Sequence, residues 1–326
     1  MTRVSEGDSV NATQAEIEYR ELRRSDLPSF EKVMFQGLGT LERAIGVDQA
    51  AVTLFQSLRR RGLWTLLAFF RALGLPVIRI FVATERGQVV GTSSLVWLKK
   101  TAVVIGVATD AAARGRGIAT HLLERMPAFA QRKGRAWLAL DVDAENSTAI
   151  RVYQKIGYQD YGRFAWYVGA PVEPASTGGT TATEIGRPRI RVLAKWADAR
   201  QAPAIREMFP ITERSFSHLE TIFQMPRTQT KTWELASSGT TIGVVRGYFS
   251  PLAGSGFVLP VASNSHLSGD ARQALVAPAI QWVRSLGAAR LVLVVPDPSP
   301  SWEPVLADLR LTKADVSILM ARSAAT

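Results

Sequence analysis

The sequence predicts an α+β fold in two tandem halves, each a mixed, largely antiparallel sheet flanked by helices. Three observations point there. A stretch rich in Pro, Gly, Ser and Thr interrupts the middle of the chain, and the order of strand and helix signals before it recurs after it. Each half also runs through hairpin-linked strands and then helix, strand, helix, strand.

Pro171, Pro174, Gly178, Gly179, Thr180 and Thr181 crowd between positions 169 and 189, a linker composition that divides the chain. The expected parts are a loose polar leader over 1–16, a first domain over 17–170, a linker over 171–188 and a second domain over 189–326. With 326 residues, 47% of them hydrophobic, both domains can bury a core.

Residues 81–84 with Gly87 and Gly91 read as strand, turn, strand, and residues 233–236 with Gly239 and Gly243 repeat that pattern 152 positions later. An apolar strand over 103–107 answers to 257–261, a helix over 117–133 to one over 271–286, and a strand over 136–142 to one over 289–295. At the beginnings, 17–22 followed by Ser25-Asp26 and a helix is matched by 190–193 followed by Ala197-Asp198 and a helix, so both openings are expected as strands. The apolar stretch 63–80 is broken by Arg71, Gly74, Pro76 and Arg79, which predicts an amphipathic helix and a strand rather than a membrane span.

Charge and cysteine content narrow the chemistry. There are 39 Lys and Arg against 28 Asp and Glu, a net charge of +11 that attracts polyanions: phosphorylated cofactors, nucleic acid or acidic membrane. Cysteine is absent, which excludes disulfides, thiolate metal sites and any acyl-cysteine intermediate, and fits a reducing cytosol. The leader has no basic run before an apolar core, so no export signal is read and a cytoplasmic location is expected. His121, His218 and His266 are scattered without ligand spacing, and no metal is expected.

The most informative segment follows the strand ending at Val107, where the chain passes through Thr109-Asp110 to Arg114-Gly115-Arg116-Gly117-Ile118-Ala119 and enters a helix. The glycines allow close backbone approach, the first helical amides are unpaired, the helix dipole adds positive charge, and Arg114 and Arg116 add full charges. A pyrophosphate fits such a loop. A dinucleotide site is the competing reading, with Asp141 as ribose-binding acid. Seven residues separate Val107 from Gly115, however, and Thr120 stands where a third glycine belongs.

Farther on, Asn146 opens a helix carrying Ala149 and Tyr153 and ending in Gly157-Tyr158. Arg114, Gly117 and Ala119 together with these residues resemble the two signatures of the Gcn5-related N-acetyltransferase (GNAT) family, over residues 81–167. The resemblance implies two tandem acyl-CoA N-acyltransferase-like domains and an N-acetyltransferase that moves an acetyl group from acetyl-CoA directly to an amine of a small molecule or peptide. It implies that backbone at Val107, Ala108 and Thr109 pairs with the pantetheine arm, that Arg114, Gly115, Arg116, Gly117, Ile118 and Ala119 hold the pyrophosphate, and that Asn146 touches the pantetheine. By the same likeness Tyr153 is the general acid at the coenzyme sulfur, and Asn146 and Tyr153, seven apart, share a helix face.

An amine with a lysine-like pKa near ~10.4 is protonated at neutral pH and needs a base. The family often places a carboxylate on the strand that carries the loop, but 103–107 has neither acid nor histidine. Asp141 and Asp143, on one face of the next strand by period two, are the candidates, with surface solvation or helix capping as the plainer role for each. A helix cap is likewise the plainer role for Asn146, and a core aromatic for Tyr153.

The second half departs from the pattern. Its loop reads Asn264-Ser265-His266-Leu267-Ser268-Gly269-Asp270, with one glycine, no arginine before the helix and an acid where phosphate would sit. The helix over 301–309 lacks the asparagine and tyrosine, so the second domain is expected to be degenerate. Two other readings compete: a sensor that binds acyl-CoA without turning it over, and a nucleic-acid binder suggested by Arg59-Arg60-Arg61 beside Trp64. A solvated helix face explains the arginine run more simply. The acceptor, which residues 30–75 should face, carries no recognition signature, and neither does oligomeric state.

Overall fold

The computed structural model describes residues 16–59, 62, 65, 78–175, 181–213, 216–217, 219, 227–263, 267–298 and 300–325. The strands are β1 (Ile17–Glu21), β2 (Arg79–Glu85), β3 (Gln88–Trp97), β4 (Thr101–Thr109), β5 (Trp137–Asp143), β6 (Gln159–Gly169), β7 (Thr183–Glu184), β8 (Gln229–Ser237), β9 (Thr240–Ser250), β10 (Ser255–Ser263), β11 (Arg290–Pro296) and β12 (Thr312–Ser323). They form a single sheet in the order β1-β2-β3-β4-β5-β12-β6-β11-β10-β9-β8-β7. Among the described residues only β4 with β5 and β10 with β11 are parallel; every other pairing is antiparallel.

This order shows something a linear repeat does not. The last strand of each half has crossed to the other: β12 lies between β5 and β6, and β6 lies between β12 and β11. A pseudo-twofold axis runs through the β6/β12 pair, and neither half closes its sheet with its own last strand.

Helices cover both faces. One face carries α4 (Ile118–Glu124), α5 (Met126–Arg132) and α6 (Ser147–Lys155) from the first half, and α9 (Gly269–Ser285) and α10 (Glu303–Asp308) from the second. The other carries α1 (Leu27–Gly37), α2 (Thr40–Ala44), α3 (Val47–Leu58), α7 (Arg187–Asp198) and α8 (Pro203–Met208). At the centre of that second face one core draws on both halves. Ile45 meets Met208, Phe209, Phe257 and Val292 beside Phe164, Trp166 and Leu319. Thr101 donates to the carbonyl of Met208 (2.6 Å) and Ser255 to that of Ile45 (2.9 Å), so polar contacts stitch the same seam.

The repeat is visible in backbone detail. The β2–β3 and β8–β9 hairpins both turn on two residues with positive φ, Arg86 and Gly87 (50° and 75°) and Ser238 and Gly239 (49° and 76°). Those values define the turn whose twist suits a two-residue hairpin.

Three expectations need correction. Residues 190–193 are helical, inside α7, because Ile190, Leu193, Ala194 and Ala197 recur at three- and four-residue spacing and pack as one face. The strand that opens the second half is instead β7, Thr183–Glu184, which pairs with β8 inside the expected linker. The helix expected over 117–133 is two helices, α4 and α5, divided at Arg125; Pro127 has no amide to extend the first. Most of the stretch 63–80 lies outside the described residues, as do Arg60, Arg61 and Trp64; Arg59 pairs with Glu31 at 2.6 Å.

Candidate active site

β4 and β5 pair in parallel only over Thr101–Trp137, Ala102–Leu138 and Val103–Ala139. Beyond that point β4 continues to Thr109 and β5 to Asp143 without pairing each other, so the sheet is parted and, among the described residues, no strand lies along that edge of β4. An extended ligand can add to such an edge.

Inside the gap β4 is bulged. Gly106 and Val107 together face Ser93 of β3, the register slipping between Thr92 and Ser94, and Gly106 has φ +62°. A bulge of this kind bends the strand and turns its main chain out of the ladder. The left-handed backbone at Gly106 is what favours glycine; Met34 of α1, whose terminal methyl lies 3.2 Å from where a Cβ would stand, would have to give slightly.

At the far end of β4, Asp110 caps a short 3-10 turn by accepting from the amide of Ala112 (3.0 Å). Arg114 then leads into Gly115 and Gly117, both with positive φ (77° and 74°) and both with nothing within 4 Å of a Cβ built on them. The first bond of α4 runs from the amide of His121 to the carbonyl of Gly117 (3.0 Å). The amides of residues 115–120 are engaged by no other group among the described residues. The loop is therefore an open set of donors at a positive helix end.

Its two arginines differ. Arg114 is exposed and reaches the carbonyl of Thr109 at 3.5 Å, the limit of a hydrogen bond. Arg116 makes a forked pair with Glu85 at the end of β2 (3.0 and 2.8 Å), and that hydrogen bonding holds the Glu85 carboxyl below its usual range.

Asn146 is the N-cap of α6, accepting from the amide of Ala149 (3.1 Å), which leaves its own amide hydrogens available. Tyr153, two turns on, is 7% exposed. It shares a core with Val104 and Val107 of β4 and with Leu138, Leu140 and Val142 of β5, the strands on either side of the gap. Burial pushes its hydroxyl up to about 12, which keeps it protonated at neutral pH.

Asp141 and Asp143 lie on the opposite face of β5 from Leu138, Leu140 and Val142, hence opposite Tyr153. Asp143 accepts from the amide of Glu145 (2.7 Å). The structure also brings up a residue that sequence reasoning missed, Asp315 of β12. Its carboxyl is pushed up to about 6, first by burial and then by the charge of Asp143 on the neighbouring strand. No local signal could have found it, since it reaches β5 only through the exchanged strand.

In the second half β10 and β11 part as well, after Val258–Leu293. There the helix start is occupied: Ser268 accepts from the amide of Ala271 (3.2 Å), and Asp270 adds negative charge to the first turn of α9. Arg272 is buried, reaches the carbonyl of Leu267 and packs over Trp302. Residues 264–266 of that loop, and His218, lie outside the described residues. His121 stacks against Tyr19 (4.2 Å) rather than facing the gap. Among the described residues no cluster could hold a metal, and no helix is long and apolar enough to cross a membrane.

Residues 76–160 match the family model of the acetyltransferase (GNAT) domain. No curated protein sequence matches the chain. A tandem GNAT protein from the clavulanic acid biosynthesis pathway is similar in structure, at 16% identity and a TM-score of 0.58 over 95% of this chain and 99% of that one. A GCN5-related N-acetyltransferase from Sphaerobacter thermophilus is similar at 14% identity and a TM-score of 0.60, over 94% and 96% of the two chains. The matched segment spans the parted strands, the glycine loop and the helix that begins after Asn146. The chain as a whole has the fold of a tandem GNAT protein.

Proposed function

We propose that this protein is an N-acetyltransferase that binds acetyl-CoA in the gap between β4 and β5 and passes the acetyl group directly to the amine of a small molecule or peptide. The observation that carries this reading is the alignment of an unpaired β4 edge with an open, donor-rich loop at its end. Pantetheine carries amides that pair with the main chain of Val107, Ala108 and Thr109 as an added strand, and the diphosphate meets the amides of Gly115, Arg116, Gly117, Ile118 and Ala119. Arg114 supplies mobile charge, while Arg116, already paired with Glu85, anchors the loop. Asn146 offers its amide hydrogens to the arm.

In this reading the thioester lies in the gap, with Tyr153 against one face and Asp141 and Asp143 on the other. A neutral amine attacks the carbonyl carbon, main-chain donors of the bulge stabilise the oxyanion, and Tyr153 protonates the departing thiolate, its proton replaced by the one the nitrogen loses. A tyrosine held near pKa 12 donates to a developing thiolate without being ionised beforehand.

Calorimetric titration with acetyl-CoA, followed by thiol release with an amine panel, tests the reading. Binding at one site per chain, abolished by Gly117→Glu, is expected; absence of binding at millimolar acetyl-CoA overturns it. Tyr153→Phe is expected to lower kcat roughly 100- to 10,000-fold with coenzyme affinity unchanged, the range of a single general acid. Because β4 has no acid or histidine, a coenzyme sensor is the second reading. Binding without thiol release for any amine identifies it.

A further inference from the structure

We infer that the degenerate half completes the catalytic centre of the other half: Asp315 of the exchanged strand β12, diagonally across from Asp143 of β5 on one sheet face, is the base that takes the proton from a protonated primary amine. This rests on the acetyl-transfer reading above and adds the base and the charge class of the acceptor.

Three features of placement converge. First, β12 pairs with β5 on the side away from the gap, with Ser317 opposite Asp143 and Leu319 opposite Asp141. Asp315 therefore sits diagonally across from Asp143 on the same sheet face, at the end of β5 that borders the parted region. Second, a bulge in β12 sets that orientation. The register against β6 slips between Lys313 and Asp315, so Asp315 rather than Ala314 stands opposite Trp166 and shares its face. Trp166 in turn donates to Ser317 (2.9 Å), which fixes the strand locally. Bulges re-aim side chains in this way beside functional sites. Third, β4 contributes no base, so the proton must go to a group reaching the gap from elsewhere.

Two further carboxylates act on Asp315, Asp143 from β5 and Glu42 from α2, and from β12 itself the amide of Val316 donates to it (2.7 Å). Lys313, on the far side of the bulge, is held by Asp297 (2.8 Å). An ammonium group is the acceptor such a surface attracts. Asp315, part-buried beside a second carboxyl, holds its proton into mildly acidic pH and can accept one on losing it.

The protons balance. The ammonium gives one to the Asp143–Asp315 pair; its nitrogen then bonds the carbonyl carbon, and the C–S bond breaks. The thiolate takes the Tyr153 proton, replaced by the second proton the nitrogen sheds, and the carboxyl pair returns its own to water. Two N–H bonds are lost, one S–H bond forms and one proton is released.

The test compares the wild-type chain with Asp315→Asn and Asp315→Glu, using acetyl-CoA with n-butylamine, cadaverine and spermidine as probes. Calorimetry reads coenzyme affinity, thermal melting reads the integrity of β12, and thiol release is followed from pH 5 to 9. Expected are a loss in kcat/KM of about 100-fold in Asp315→Asn, disappearance of the acidic limb near pH 6, partial rescue by Asp315→Glu, and coenzyme affinity within twofold of wild type. Asp315→Asn turnover within threefold of wild type with its acidic limb intact overturns the inference, as does wild-type inertness toward all three amines while acetyl-CoA binds. Failure of acetyl-CoA to bind the wild type is the separate outcome that removes the underlying reading.

Discussion

Arg116 and Arg114 stand two residues apart in the same loop, yet their surroundings give them different work. Arg116 forks onto Glu85, whereas Arg114 has only a long contact to Thr109. Arg114→Ala should therefore weaken acetyl-CoA binding roughly three- to tenfold, the worth of one charge-assisted contact at an exposed site, with a shallower salt dependence. Glu85→Gln frees Arg116, and the same titration should show affinity rising rather than falling; a fall would mean that the pair, not the free cation, holds the diphosphate. Asp315 makes a prediction about stability. Its carboxyl is raised from the ordinary 3.8 to about 6, so between those values the folded chain binds a proton that the unfolded chain releases. Stability falls as pH rises through that window and the contribution is gone above it, by on the order of 1–2 kcal/mol after allowance for partial exposure. Asp315→Asn should lose this dependence and melt higher than wild type at pH 8, while the two differ little at pH 4; equal melting temperatures at pH 8 would count against the burial of that charge.

At the scale of elements, the bulge in β4 shows what sequence can and cannot disclose. A glycine inside an apolar strand run already signals a bulge or a close approach, and Gly106 is both, with φ +62° and Met34 beside it. Gly106→Ala should cost roughly 1–2 kcal/mol from the left-handed backbone alone and lower coenzyme affinity with it, as read by chemical denaturation and calorimetry. The hairpins, the loop glycines and the helix beginning at Asn146 were legible because each depends on neighbours in the chain: turn residues, a cap, an apolar period. Residues 190–193 misled for a related reason. Four apolar and basic residues fit either period, and only the longer pattern through Ala197, with Pro188 at the start, selects the helix. Asp315 was illegible because alternation along a strand tells which face a side chain takes and nothing about which strand lies alongside. The Arg116–Glu85 pair is of the same kind, joining residues that only the sheet brings together.

For the whole molecule the governing fact is the exchange of last strands. β5 has its only full-length neighbour in β12, and β6 is flanked on both sides by strands of the other half. A chain of residues 1–170 would leave β5 with three residue pairs to β4 and β6 with none, two long unpaired edges over an exposed apolar core. We therefore propose that the tandem repeat is two halves by descent of pattern and one unit in folding. Differential scanning calorimetry of the full chain should show a single transition, even though 17–170 and 189–326 each have the size of an independent domain. Residues 1–170 produced alone should not persist as a folded monomer; light scattering should find either aggregates or a dimer in which two copies of β6 trade places as β6 and β12 do in the full chain. A monomeric 1–170 that unfolds cooperatively and binds acetyl-CoA as tightly as the full protein would show that the exchange is dispensable. It would also leave Asp315 with no part in the site, since that fragment has no β12 to supply it.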